Sequence, residues 1–201
     1  MVEKILDTAS YGICLFSLDV LGDFLKKEKV RSKKLLKNFQ DNHKRYLTSL
    51  AEGIWIPVLP IDSIEYVIKV ENFNQSFDNE WDEKLVHHNF NIEIKDSLWI
   101  VDIGSFYTFD NNKYLDQDKV SYQTLDGETL YSGFKYKVSS GKYLVSIKGY
   151  ARKKRLEYPH PNFGYLFTLV KVSLMIHVKM KYITLMWRIW INSCKKPILA
   201  F

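Results

Sequence analysis

The sequence predicts a mainly β fold: an antiparallel β-sandwich of about seven strands with one amphipathic α-helix inserted after the first strand. Between residues 90 and 172, apolar and polar side chains alternate in several segments, which is typical of strands with one packed and one solvated face. Turn residues such as Asp126-Gly127 separate these segments. Only residues 33–52 carry a long pattern with helical spacing, so a single helix is expected.

The first strand is predicted in 11–20, YGICLFSLDV, a short apolar run that ends at Asp19. The helix is predicted at about 33–52, with Ser32 as its N-cap and Gly53 as its stop. Its apolar face consists of Leu35, Leu36, Phe39, Tyr46, Leu47 and Leu50.

The middle of the chain alternates between breaks and short elements. Prolines interrupt residues 54–63, and 64–71, IEYVIKVE, has the composition of a strand. One or two helical turns are expected in 77–88, FDNEWDEKLVHH, because Trp81 and Leu85 are four residues apart.

The later segments predict paired strands. Residues 89–103 alternate, pause at Asp96-Ser97 and resume, as two paired strands would. A hairpin is expected from 134–150, where Ser139-Ser140-Gly141 forms the turn. Residues 163–172, FGYLFTLVKV, supply the last strand.

The chain is predicted to consist of a single β-rich domain, 1–172, and an apolar, basic C-terminal extension, 173–201. Residues 1–157 carry 23 Lys/Arg and 23 Asp/Glu, whereas residues 158–201 carry six Lys/Arg and no acid. Prolines and cations interrupt the apolar runs of the tail, so a transmembrane span is not expected.

Three interpretations of the extension stay open. As a helix, 173–195 would have one narrow polar stripe and would cover an open sheet face or contact a membrane surface. As a strand, 170–182 would alternate apolar and polar residues. The third interpretation is an altered extension of a domain that ends near Val172.

No residue pattern predicts catalysis, a cofactor or a metal. SSGKY at 139–143 lacks the first glycine and the Ser/Thr of a phosphate-binding loop. The adjacent histidines His87 and His88 lack metal-ligand spacing. Cys14 lies in a predicted buried strand, where a thiol is normally inert. Because no catalytic motif is found, a non-enzymatic protein is expected. The first 20 residues do not have the basic-then-apolar order of a signal peptide, so we expect a cytoplasmic location.

An acidic, aromatic stretch is the first candidate for a partner-binding surface. An exposed Trp81 among carboxylates would act as an aromatic anchor, while the charges steer a basic protein partner. The alternative is that Trp81 packs into the core. The predicted partner-binding residues are Asp78, Glu80, Trp81, Asp82, Glu83, Asp116 and Asp118.

The alternative function is a nucleic-acid-binding or membrane-peripheral protein. It would use the basic stretches Lys26–Lys37 and Arg152–Arg155, together with the basic tail. The zero net charge of residues 1–157 argues against a strong phosphate-binding surface.

One segment carries a resemblance to known proteins. The run FKYKVSSGKYLVSIKGYA, 134–151, resembles the strand, turn and strand unit of small bacterial β-sandwich proteins of the immunity and nuclease-inhibitor type, including the competence-associated nuclease inhibitor family. The resemblance implies a protein that binds and blocks a toxin or nuclease, and it transfers no functional residue to this chain.

Overall fold

The structure, a computed structural model, describes residues 3–175. The predicted extension begins at 173, and from residue 176 onwards it lies outside the described residues. The helix, strand and altered-extension interpretations of that part lie outside them too. Within 3–175 the chain forms ten strands and three α-helices. The strands are β1 Lys4–Asp7, β2 Ile13–Phe16, β3 Trp55–Val58, β4 Glu65–Val70, β5 Trp81–Ile94, β6 Ser97–Asp102, β7 Lys119–Gln123, β8 Thr129–Lys137, β9 Gly141–Arg152 and β10 Phe163–Val172. The helices are α1 Leu18–Lys27, α2 Leu35–Asp41 and α3 His43–Ala51.

The strands form two five-stranded sheets. The first sheet has the order β1-β4-β10-β9-β5, and the second has the order β3-β2-β6-β8-β7. Neighbouring strands are antiparallel except β10 and β4, which are parallel. The predicted mainly β fold is therefore confirmed, and the purely antiparallel pairing is wrong at this one contact.

The two sheets share a hydrophobic core. Alternate side chains of every strand except β7 point into it, as the period of two in a strand requires. Leu6 of β1 and Phe167 of β10 come from the first sheet, while Leu15 of β2 and Ile100 of β6 come from the second, and all four are fully buried.

A second core lies on the other face of the second sheet. There the helices and residues 103–114 cover aromatic side chains of β2, β3 and β6. Trp55 of β3 stacks on Phe39 of α2 with ring centroids 5.2 Å apart, and the Trp55 indole N–H donates to the Ser49 hydroxyl at 2.9 Å. The second sheet is therefore buried on both faces, which explains why all six residues of β6 are buried.

The helix prediction is wrong in number and in length. Residues 33–52 form two helices, because Asn42 has φ −130° and ψ 85° and its side-chain oxygen caps α3 by accepting from the Arg45 amide at 3.0 Å. The first predicted strand, 11–20, stops at Phe16, and α1 begins at Leu18.

Three further predictions of secondary structure need correction. The structure contains ten strands in residues 3–175 where about seven were expected. The stretch FDNEWDEKLVHH is not helical, since β5 begins at Trp81. Residues 55–58 form a strand at the edge of the second sheet, a position where Pro57 does not interrupt a ladder.

Both predicted strand pairs are wrong, although their strands exist. β5 belongs to the first sheet and β6 to the second, so the chain crosses between sheets at Asp96, which has φ +63°. β8 and β9 also lie in different sheets, and the turn at 139–141 makes the crossing. Alternation defines which face of a strand is apolar, but two apolar faces can meet across a core as well as side by side. The two strands of the segment 134–151 are consequently not hydrogen-bonded to each other.

Candidate functional site

Trp81 is a buried residue at the start of β5 and not an exposed anchor. Its side chain is 6% exposed. The Phe77 ring lies 4.7 Å from it, and the Arg152 guanidinium lies 4.4 Å above its ring, where a cation interacts favourably with the π face. The expectation of an exposed aromatic anchor at Trp81 is therefore wrong, and the core-packing alternative describes the residue.

The acidic residues around Trp81 are matched by cations. Glu80 pairs with Arg152 at 3.0 Å, and Glu83 pairs with Lys148 at 3.1 Å. Asp82 lies 3.1 Å from the Lys84 ammonium and 3.9 Å from that of Lys153. Asp78 forms no ion pair within residues 3–175 but accepts the Glu80 amide at 2.9 Å. Nearby cations therefore offset most of the negative charge of this acidic stretch.

The structure does not bring Asp116 and Asp118 to the acidic stretch around Trp81. Both are exposed in the loop before β7, which is an edge strand of the second sheet. The Asp118 carbonyl accepts the Lys135 amide of β8 at 2.8 Å, and β8 packs against β1. Because β1 and β5 are opposite edges of the first sheet, these two aspartates lie on the far side from Trp81.

The two basic stretches are partly neutralised in the same way. Within Arg152–Arg155, Arg152 and Lys153 are the partners of Glu80 and Asp82. Within Lys26–Lys37, three lysines pair with carboxylates, two of other segments and one a helical turn away in α2, whereas the remaining cations of this stretch form no ion pair within residues 3–175. The lysines that pair are Lys27, Lys33 and Lys37, and their partners are Glu52, Asp110 and Asp41.

A cleft at one end of the first sheet combines aromatic rings with carboxylates that have no cationic partner within residues 3–175. It has a volume of about 400 Å³ and lies between the ends of β1 and β4 and the loop before β10. Asp7 and Glu65 supply carboxylates, Tyr158 and Phe163 supply aromatic rings, and His160 lies on the same loop. We call it the acidic cleft.

The strand register places like charges together in the acidic cleft. Asp7 is the direct partner of Glu65 in the β1–β4 ladder, a position in which two carboxylates repel each other. Burial raises the pKa of Glu65 above its ordinary value, and the charges of Asp7 and Glu128 raise it further. The charge of Asp7 therefore makes ionisation of Glu65 more costly.

Two tyrosines surround these carboxylates. The Tyr122 hydroxyl of β7 donates to Asp7 at 2.6 Å, and this bond is the main reason that the pKa of Tyr122 is raised to about 12. Tyr158 is 83% exposed, and its hydroxyl lies 3.5 Å from a carboxylate oxygen of Glu128. The charge of Glu128 is the main cause of the raised pKa of Tyr158.

Asp102, the last residue of β6, is buried, with 7% of its surface exposed. Its carboxylate accepts the amides of Ser10 at 3.2 Å and Gly104 at 3.1 Å. Burial raises its pKa to about 6, because these hydrogen bonds offset only part of the cost of removing the charge from water, and the charge of Asp7 adds to that cost.

None of the ion pairs formed within residues 3–175 includes Asp7, Glu65, Asp102 or Glu128. In the same part of the chain, no three His, Cys, Asp or Glu side chains are close enough to share a metal ion. The arrangement suits an organic cation, because carboxylates can accept its N–H groups while an aromatic ring covers its face.

Sequence reasoning missed the acidic cleft because its residues are far apart in the chain. Asp7 and Glu65, which line the cleft, and Glu128, whose charge acts on Glu65, lie in different segments and belong to no motif. Each stands at or beside a strand end, and only the strand register and the turn before β8 bring them together. A charge count by segment identifies clusters along the sequence such as 78–83, and the fold pairs the carboxylates of this cluster with Lys84 and with cations at 148–153.

The remaining sequence candidates occupy ordinary positions. His88 lies within hydrogen-bonding distance of the Ser146 hydroxyl, 2.9 Å, on the solvated side of β5 and β9. Cys14 is fully buried in β2, and burial raises its pKa well above the ordinary value.

No helix in residues 3–175 has both the length and the apolar character required to cross a membrane. Comparison of the chain with protein families, with curated proteins and with solved structures found no match.

Proposed function

We propose that this chain is a non-enzymatic protein-binding module whose acidic cleft receives a lysine or arginine side chain of a partner protein. The single observation that carries the proposal is a cleft with carboxylates on strand ends that no cation within residues 3–175 neutralises. A protein gains no stability from such an arrangement, since adjacent like charges repel. A cationic ligand converts the repulsion into attraction.

The walls of the acidic cleft favour a side chain with both an apolar stem and a cationic head. Phe163 and Leu130 offer apolar surface near the carboxylates, and the exposed Tyr158 ring offers a π face. Lysine and arginine bury their methylene stems while their charged ends make polar contacts. Arginine has the additional advantage of a planar, bidentate fork that matches a carboxylate.

An inhibitor of a nuclease or toxin fits this chemistry. Enzymes that act on nucleic acids present lysines and arginines to phosphate groups. A module with an acidic cleft would compete with the phosphates for the same cations. The scaffold for this role is proposed to be a β-sandwich with a helical layer.

The test uses a blocked tripeptide, Lys-Arg-Lys, and follows backbone amide shifts by NMR at pH 7.5. We expect shifts around Asp7 and Glu65, and a double variant Asp7→Asn with Glu65→Gln should bind at least about tenfold more weakly, because hydrogen bonds to charged groups contribute about 1.5–3 kcal/mol. Asp82→Asn with Glu83→Gln is the matched control, since it removes two carboxylates that already have partners.

Two results would contradict the proposal. One is equal binding of the tripeptide by the wild type and by the Asp7, Glu65 double variant. The other is a greater loss in the Asp82, Glu83 control, which would return the binding surface to the acidic stretch around Trp81. A blocked Glu-Asp-Glu tripeptide should bind to none of the three proteins.

A further inference from the structure

The two sheets end in four edge strands, β1, β5, β3 and β7. An exposed edge presents unpaired N–H and C=O groups to other chains, and folded proteins usually protect their edges. β3 contains Pro57, which has no N–H to offer. β5 contains the extra residues of two register shifts, and near its end the Glu93 amide donates to the Gly53 carbonyl at 2.8 Å. β1 packs against β8, where the Lys4 ammonium donates to the Lys135 carbonyl at 3.3 Å.

β7 has none of these protections within residues 3–175. Four of its five residues, 119–123, are exposed, and none is a proline. The register shift beside it places the extra residue, Ser132, in β8, so β7 itself is regular. The ammonium of Lys119 lies 4.5 Å from the centre of the Tyr131 ring and donates to the Tyr131 hydroxyl at 3.1 Å, so this side chain turns toward β8 and does not cover the edge. The outer edge of β7 is therefore open to a further strand.

Carboxylates flank β7 at both ends. Asp116 and Asp118 precede the strand, and Asp126 and Glu128 follow it in the turn to β8. None of these four carboxylates forms an ion pair within residues 3–175, although the charge of Lys4 acts on Asp118. The edge is therefore complementary in charge to a segment that carries basic residues.

β7 is in direct contact with the acidic cleft. The Tyr122 hydroxyl donates to Asp7, which lines the cleft, at 2.6 Å. The ladder partner of Tyr122 in β8 is Leu130, and this residue lines the cleft as well. A segment that pairs with β7 consequently reaches the cleft where it passes Tyr122.

We propose that β7 binds an extended, basic segment of the partner protein by strand addition, and that this segment delivers its lysine or arginine to the acidic cleft. The inference rests on the proposed function and names the conformation in which the partner is bound. Backbone hydrogen bonds to β7 supply affinity, whereas the flanking carboxylates and the cleft select basic residues. Asp116 and Asp118, which lie far from Trp81, thereby join the acidic cleft in one binding surface.

The experiment compares three blocked peptides, each with three cations, on the full chain by NMR at pH 7.5. They are Lys-Arg-Lys, the heptapeptide Thr-Lys-Val-Arg-Val-Lys-Thr, and the same heptapeptide N-methylated at its three central residues, whose amides point to both edges of a strand. The heptapeptide should bind at least about tenfold more tightly than the tripeptide, because it adds several backbone hydrogen bonds. It should also shift the amides of 119–123 and slow their exchange with solvent. The N-methylated peptide should lose this gain while it keeps every charge.

The double variant Asp116→Asn with Asp118→Asn tests the charge of the edge. Asparagine tolerates the positive φ of 55° at position 116. This variant should bind the heptapeptide about three- to tenfold more weakly, since each exposed ion pair contributes modestly, and should bind the tripeptide as the wild type does. Asp82→Asn with Glu83→Gln is the matched control and should leave both affinities unchanged, because its carboxylates already have partners.

Three results would overturn strand addition and leave the proposed role of the cleft intact. They are equal binding of the tripeptide and the heptapeptide, no effect of N-methylation, and slowed exchange along β5 instead of β7. Self-association of the unliganded chain with slowed exchange at 119–123 would assign the edge to a second copy and would also reject the proposal. If the tripeptide fails to bind while the heptapeptide still protects 119–123, the proposed role of the cleft fails and strand addition stands.

Discussion

The burial of Asp102 predicts an unusual dependence of stability on pH. In the folded chain its pKa is about 6, whereas an unfolded aspartate has the ordinary value of 3.8. The folded state therefore binds more protons than the unfolded state between these two values, and its stability increases as the pH falls. The contribution is fully present below pH 3.8 and is lost as the pH rises through 6.

The magnitude follows from the same two values. Each unit of pKa difference corresponds to about 1.4 kcal/mol, so ionised Asp102 costs about 3 kcal/mol of unfolding free energy at pH 7. Asp102→Asn has no charge to remove from water. Relative to this variant, the wild type should gain up to about 3 kcal/mol between pH 7 and pH 4.

Urea unfolding followed by tryptophan fluorescence measures both proteins at each pH. The lowered pKa values of Asp23 and Asp126 act in the opposite direction, but they act equally in the wild type and in Asp102→Asn and cancel in the difference. The hydrogen bond that the amide of the variant cannot accept adds an offset that does not vary with pH. A difference that stays constant from pH 7 to pH 4, or that changes in favour of the variant, would refute this account of Asp102.

Two predictions concern the packing of the chain, each measured by the same urea unfolding. Ser17 is fully buried, and its hydroxyl donates to the Lys95 carbonyl at 3.1 Å and accepts the Lys95 amide at 3.0 Å. Ser17→Ala should therefore lower the free energy of unfolding by about 2–4 kcal/mol. A loss under about 0.5 kcal/mol would contradict this expectation. A Cβ on Gly164 would lie 2.8 Å from the Val67 carbonyl oxygen, so Gly164→Ala should cost more than about 1 kcal/mol, whereas Gly22→Ala in α1 has open space and should stabilise by about 0.5–1 kcal/mol. Equal effects at the two glycines would disprove this comparison.

Local patterns in the sequence determined which segments are extended and which faces are apolar. The strands at 65–70 and 163–172 follow the predicted ranges closely, because alternation and β-branched content act within the segment itself. Residues 35–51 are helical except at Asn42, where a side chain that competes for backbone hydrogen bonds ended one helix and began another. The predicted mainly β fold needed no more information than this.

Tertiary structure alone decided which strands are neighbours. β5 with β6, and β8 with β9, follow each other closely in the chain, yet each pair lies on opposite sides of the shared core. The alternation of a strand is satisfied equally by a partner beside it and by an apolar face opposite it, so the sequence left both arrangements open. The two sheets also differ in their outer faces, because helices bury the outer face of the second sheet.

At the candidate site, too, the sequence determined one part and the tertiary structure another. The sequence determined a body with equal numbers of acidic and basic side chains, and it marked 78–83 as a local excess of acid. Folding placed cations of β9 against that excess and placed Asp7 beside Glu65 with no cation from residues 3–175. Electrostatic interactions depend on distance in space and on burial. Asp7 and Glu65 are 58 positions apart in the chain, so only the strand register brings their carboxylates close together.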